Sequence, residues 1–283
     1  MSRAPSALPG LPAGWRVVRT WGPGNEVTRA VLARADGTEV EWSSRRHRKR
    51  LGLQPVGDGG PHRSGRPSPM SWWMGGLFAA GSLCFALGSL PGYFDDVSPE
   101  TLALTFFVGS VLFTGAGALQ FREALHAPTD VVRARQGATR GWRTRPIDWW
   151  ATAIQLVGTL CFNVSTFAAT RTGFTEGQER RLIWAPDLAG SICFFVASWL
   201  AYAEANTRIR PRPDRSVGWW IAAVNLAGSV AFGAAAIGAR YLRTTDEPAN
   251  IALVNAGTFV GALCFLTGAA LLPVESAEAV PDA

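Results

Sequence analysis

Lysine is almost missing from this chain: of 27 basic side chains among 283 residues, Lys49 is the only lysine, so its basicity is carried by arginine. Histidine is scarce too. His47, His62 and His126 all fall outside the apolar stretches, and none belongs to a ligand or triad pattern. Four cysteines occur, but no C-x-x-C or zinc-type spacing joins them. There is no phosphate-binding glycine loop, nucleophile elbow or paired Glu/His motif. Together these absences disfavour a hydrolase or metalloenzyme, so the protein is expected to be non-enzymatic, with no catalytic residues, cofactor or metal. Residues 1–14, MSRAPSALPGLPAG, lack a continuous apolar core and are broken by Pro5, Pro9 and Pro12, so no secretory signal is expected there.

Charge is missing from long stretches, and those stretches set the class. Six apolar runs lie near 72–90, 102–121, 149–169, 183–203, 218–239 and 251–272. Each approaches the roughly 20 residues needed to cross hydrocarbon. A soluble bundle is disfavoured, because too little polar surface remains to cover six such helices. Arginine sets the orientation. The segment before the first run and the second and fourth loops carry 22 Lys+Arg, against five on the opposite side. Both termini are therefore expected in the cytoplasm.

The runs repeat one phrase. GSLCF at 81–85 recurs as GTLCF at 158–162, GSICF at 190–194 and GALCF at 261–265, with GSVLF at 109–113 and GSVAF at 228–232 as looser copies. Three tryptophan pairs, Trp72–Trp73, Trp149–Trp150 and Trp219–Trp220, each stand before a motif glycine in the pattern WW-x7-G-[ST]-x-x-F. Glu123, Glu204 and Glu275 each follow a second motif glycine by 14 residues. These offsets describe three copies of a helical hairpin.

Counted from the motif glycine, offsets 0, 4, 7 and 8 share one side of a helix. Offset 4 is phenylalanine in all six runs, and offsets 7 and 8 are small. The helix-packing residues are therefore Gly81, Phe85, Gly109, Phe113, Gly158, Phe162, Gly190, Phe194, Gly228, Phe232, Gly261 and Phe265. Small residues let helices approach closely in lipid, where no hydrophobic drive pulls them together. A pore or pocket lining is the alternative reading of the same stripes. The tryptophans are expected to be inner-interface anchors. The glutamates are expected either to be solvated or to pair with loop arginines.

Cys84, Cys161, Cys193 and Cys264 all occupy offset 3, where the other copies have Leu112 and Ala231, so the position reads as small and apolar. Polar residues within the runs are candidates for solute or interhelical contacts: Gln155, Asn163, Asn225 and Asn255. Asp187 follows Pro186, which suits a helix N-terminus.

Before the first run, residues 28–43 alternate around Asp36–Gly37 as a β-hairpin would, and residues 15–21 could add a strand. Arg45, Arg46, Arg48, Lys49 and Arg50 then form a basic patch, followed by a Gly/Pro/Ser linker. The patch is expected to meet anionic lipid or a cytosolic protein partner, and nucleic acid is disfavoured.

The glycine-small-aliphatic-x-Phe helices in two-span units resemble the YrhK-like family of small bacterial membrane proteins. The resemblance covers 72–123, 149–204 and 219–275. It implies a two-helix membrane unit in the bacterial inner membrane, and no activity. The fold class expected is an all-α membrane protein of six transmembrane helices, as three repeated hairpins, with a small basic N-terminal cytosolic segment containing a β-hairpin. The divisions are a basic segment at 1–54, a linker at 55–70, hairpins at 71–124, 148–205 and 218–276, loops at 125–147 and 206–217, and a tail at 277–283. The expected function is that of a non-enzymatic scaffold or sensor-type protein whose basic segment contacts lipid or a partner. The alternative is a channel or transporter for ions or small solutes using the polar residues of hairpins two and three.

Overall fold

Alternating apolar residues build a sheet wider than the hairpin expected. The computed structural model describes residues 11–24, 26–56, 65–129, 132, 145–206, 216–240 and 249–278. Strands β1 (Arg16–Trp21), β2 (Arg29–Ala33), β3 (Glu39–Ser43) and β4 (Gln54–Pro55) form an antiparallel sheet in that order. The β2–β3 turn needs Gly37, whose φ of +87° is left-handed, and the Thr38 amide donates to the Asp36 carboxylate at 2.8 Å. Val17, Ala30, Leu32, Val40 and Trp42 fill the core of this module. The basic run becomes a short helix, α1 (Ser44–Arg48), capped by Ser43 accepting from the Arg46 amide at 3.3 Å.

Six long helices follow: α2 (Pro69–Gly88), α3 (Pro99–Leu125), α4 (Ile147–Ala169), α5 (Glu176–Asn206), α6 (Val217–Gly238) and α7 (Ile251–Ser276). All six are long and apolar enough to cross a membrane. Caps outside the apolar runs set several of their starts. Ser68, Ser98, Ser216 and Asn250 each accept from an amide three residues on. Helix α5 departs from expectation. It starts at Glu176 and passes through a π-helical stretch, Arg180–Trp184, before continuing as α-helix from Ala185. Pro186 has no amide hydrogen to give and its ring crowds the carbonyl of the preceding turn, so a widened turn directly before it relieves both conflicts. Asp187 is therefore inside a continuous helical path and not at its beginning.

The helices close a ring: each packs on the next, and α7 returns to α2. Within it, three pairs meet through the same residues. A methyl group added at Gly81 would lie 2.5 Å from the Phe113 ring, and one at Gly109 would lie 3.2 Å from Phe85. In α4 and α5, Gly158 stands 2.8 Å from Phe194 on the same measure, and Gly190 3.0 Å from Phe162. In α6 and α7, Gly228 is 3.2 Å from Phe265 and Gly261 is 2.5 Å from Phe232. Each ring thus occupies the space that a side chain on the opposite glycine would need.

The six phenylalanines are all buried and fill the centre of the ring. Phe113, Phe194 and Phe265 make one triangle, with centroids 5.6 to 6.1 Å apart. Phe232 reaches Phe85 at 5.8 Å and Phe162 at 6.2 Å. Ser82, Ser110, Thr159, Ser191 and Ser229, one residue after their glycines, are fully or almost fully buried. Outside, Leu83, Leu104, Val157, Ile192, Val230, Ile237 and Val260 are exposed. Neighbouring pairs are joined by hydroxyls: Ser110 with Thr166 at 2.8 Å, and Ser198 with Ser229 at 2.8 Å. The four cysteines are half-buried and free, and the Cβ atoms of Cys84, Cys193 and Cys264 rest against Gly109, Gly158 and Gly228.

Linker residues 57–64, Arg133, Arg135, Arg140, Arg143, Arg208, Arg210, Arg212, Arg215 and tail residues 279–283 lie outside the described residues. Gly81→Ala is expected to cost about 1–3 kcal/mol, measured by unfolding in detergent, because the new methyl overlaps Phe113 and the Gly109 carbonyl. Gly76→Ala meets open space and should be neutral or slightly stabilising. Equal losses in the two variants would contradict the packing account.

Candidate functional site

Helix α1 is seated on the ends of the long helices. The termini of α3, α5 and α7 and the starts of α4 and α6 converge there, and each presents a carboxylate or a small residue. Arg48 lies at the middle. Its Nη1 is 2.9 Å from Asp148 Oδ2 and 3.1 Å from Glu204 Oε1, and its Nε is 3.9 Å from Glu123 Oε2. Ser44 donates its hydroxyl to Glu204 Oε1 at 2.7 Å. Arg45 forms a two-pronged pair with Glu275, and Lys49 Nζ reaches the same carboxylate at 3.1 Å. Arg46 instead donates to two backbone carbonyls, Leu51 at 2.7 Å and Glu278 at 2.9 Å. Arg50 alone among the five is exposed, and it turns the chain with a φ of +57°.

This cluster is deep. Arg48, Asp148, Glu204 and Glu275 are each at most 6 % exposed. Burial works against the Arg48 guanidinium, yet Glu204, Asp148 and Glu123 overcome it and hold the group above its ordinary range. Burial likewise opposes Arg45, and Glu275 raises it. Arg46 goes the other way: burial pushes it down, and Glu278, Glu275 and Glu41 offset only part of that.

Glu204 and Glu275 are thus not solvated, and the described cations that meet them come from α1 and from Lys49 directly after it. Asp148 was not singled out in the sequence, although it directly precedes the second tryptophan pair. The equivalent neighbours of the other pairs are Ser71 and Gly218. A side chain at Gly218 would strike Glu275 and Arg45, 2.7 Å and 3.0 Å away. Ser71 sits in the seam between α2 and α7, 2.6 Å from the Ser276 hydroxyl. The tryptophan pairs differ as well. Trp72 and Trp73 are exposed, whereas Trp219 is buried beside Tyr202 and donates to Asn206 Oδ1 at 3.3 Å.

Between α1 and the phenylalanines lies a polar cavity of about 50 Å³. Gln155 and Asn225 line it with Gln120 and Ser198, and Arg48 and Lys49 close it. Gln120 Oε1 and Asn225 Oδ1 are buried without a hydrogen-bond partner among the described residues. That volume is too small for an organic solute. Asn163 is used between helices, donating to Thr114 Oγ1 at 2.9 Å. Asn255 is half-buried on α7 and does not line this cavity. The twelve glycines and phenylalanines come together at the bundle centre, while of the four polar candidates only Gln155 and Asn225 share a cavity. Among the described residues, no three histidine, cysteine or carboxylate side chains are placed to hold a metal ion.

Comparison of the chain with protein-family models, with curated proteins and with solved structures found no match.

Arg48→Met should destabilise the protein by about 3–5 kcal/mol, because Asp148 and Glu204 stay buried without their cation. Arg50→Met, at an exposed site, should stay within about 0.5 kcal/mol. Denaturant unfolding in detergent distinguishes them, and similar behaviour of the two variants would contradict the role given to Arg48.

Proposed function

We propose that this is a non-enzymatic, sensor-type protein of the bacterial inner membrane, built of three repeated hairpins, whose N-terminal module reads the arrangement of the helix ends. The cluster of Arg45, Arg48 and Lys49 with Glu123, Asp148, Glu204 and Glu275 carries this reading. Those carboxylates belong to four different helices, so relative movement of any two changes the charge environment of α1. Buried ion pairs add little net stability against well-packed apolar groups, but breaking one is costly. They therefore suit a contact whose geometry matters more than its strength. The basic run, expected to face lipid or a partner, spends three of its five charges on the protein's own helices, which leaves Arg50 as its exposed charge.

The membrane setting is supported by the inverted distribution of side chains, with aliphatic residues outward and serine, glycine and phenylalanine inward. Its orientation rests on the arginine asymmetry, which puts the module and both termini in the cytoplasm. The YrhK-like kinship is part of the same proposal and is supported by the glycine–phenylalanine exchange that recurs in each helix pair. Transport is the second reading, favoured by the unpartnered amide oxygens of Gln120 and Asn225 in the small polar cavity. The packed phenylalanines above that cavity oppose it.

The test uses the full chain in proteoliposomes and nanodiscs. Glu204→Gln should raise hydrogen exchange across residues 16–56 at least several-fold while leaving exchange in α2–α7 near that of the unaltered protein. Potassium and sodium flux should equal that of protein-free vesicles. Unchanged exchange in the module would remove the sensor reading. Flux abolished by Gln155→Leu with Asn225→Leu would establish transport in its place.

A further inference from the structure

At the end of the ring away from the module, the helices part around a cavity of about 310 Å³. Its floor includes three of the central rings, Phe85, Phe162 and Phe232, and Phe106 and Trp184 line it as well. The Trp184 indole is held in place by donating to the Ala236 carbonyl at 3.0 Å. Asp187, on the same face of α5, contributes the only charged side chain among the described residues that line the cavity. No described cation or hydrogen-bond donor is paired with it. The continuous helix through Glu176–Asn206 removes the explanation that Asp187 serves a helix start.

Asp187 is half-buried, and a carboxylate set among mostly apolar and aromatic side chains is favoured by a nearby counter-charge. Aromatic faces attract cations, most strongly where water is excluded, and quaternary ammonium groups are recognised in aromatic cages. A volume near 300 Å³ lies at the lower end of small-molecule pockets. We propose that this cavity binds a small organic cation, a substituted ammonium with an apolar body, with Asp187 as its counter-ion and the surrounding rings as its cage. The π-helical turn at Arg180–Trp184 has a consequence here: it sets the register at which Trp184 and Asp187 face the cavity together. The proposal names a ligand class for the sensor-type reading but rests on the cavity alone, so it is tested by binding with no readout from the module.

The probe is phenyltrimethylammonium, compared with tert-butylbenzene, its uncharged isostere, and with 4-tert-butylbenzoate. Calorimetry on the full chain in nanodiscs should show the cation binding at least 10-fold more tightly than the neutral isostere, and no binding of the anion. Asp187→Asn should remove most of that 10-fold preference while sparing the neutral compound. The isostere comparison on the unaltered protein needs no variant, so it decides the matter even if Asp187→Asn fails to fold. Equal affinity for the cation and its isostere would overturn the proposal, leaving an acyl-chain or adventitious apolar cavity. Absence of cation binding would overturn it as well. Unchanged exchange in the Glu204→Gln experiment would remove the sensor reading and leave this result untouched.

Discussion

Two helices can approach as closely as these do only where one of them has no side chain. The phenylalanine of each long helix takes the space that its partner's motif glycine leaves empty, and the partner returns the contact. Serine, threonine or alanine follows each glycine and lets the flanking backbone approach too. The geometry brings the six rings together at the middle level of the bundle, Phe85, Phe162 and Phe232 on the side of the larger cavity and Phe113, Phe194 and Phe265 in contact with one another. From that level the rest is positioned: the polar cavity lies on one side, the larger aromatic cavity on the other. In the lipid setting proposed, this steric fit does what the hydrophobic effect does in a soluble bundle.

The module breaks the symmetry that the glycines and phenylalanines suggest. One short helix cannot meet every helix end equally. It engages Asp148 and Glu204 of α4 and α5 and Glu275 of α7, and Gly218 makes room for Arg45 at the start of α6. The α2 start, with Ser71 beside Ser276, takes no charge from it. The residue before each tryptophan pair is therefore aspartate, glycine or serine according to what α1 places there. Trp219 is enclosed near this contact, while its neighbour Trp220 and the pair Trp72 and Trp73 are exposed.

Much of the helical framework was legible because it is written in periodic, local terms. Apolar runs gave six helices, and the offsets from glycine to phenylalanine gave the faces that meet. The alternation around Asp36–Gly37 gave two strands, although β1 had weaker support and β4, of two residues, left no periodic signal. The ion-pair cluster was harder to read, since its partners lie far apart in the chain, 156 residues for Arg48 with Glu204 and 230 for Arg45 with Glu275. Composition showed a basic run and three periodic glutamates, but nothing local said that one would close upon the other. Asp148 stands where the other tryptophan pairs have Ser71 and Gly218, and that difference was the available signal. Asp187 was misread for a different reason. Pro186 resembles a helix start, and here a widened turn directly before it lets the helix run through.

The most direct measurement of the central contact is a double-mutant cycle on one glycine and the ring that fills it. Gly261→Ala and Phe232→Leu, singly and together, can be followed by reversible unfolding in mixed micelles. If the ring occupies the glycine's empty side, shortening it makes room for the methyl. The pair should then be less destabilised than the sum of the single variants by about 0.5–3 kcal/mol. Additivity within about 0.3–0.5 kcal/mol would mean that the two residues do not share that space, and the account of how these helices meet would be contradicted.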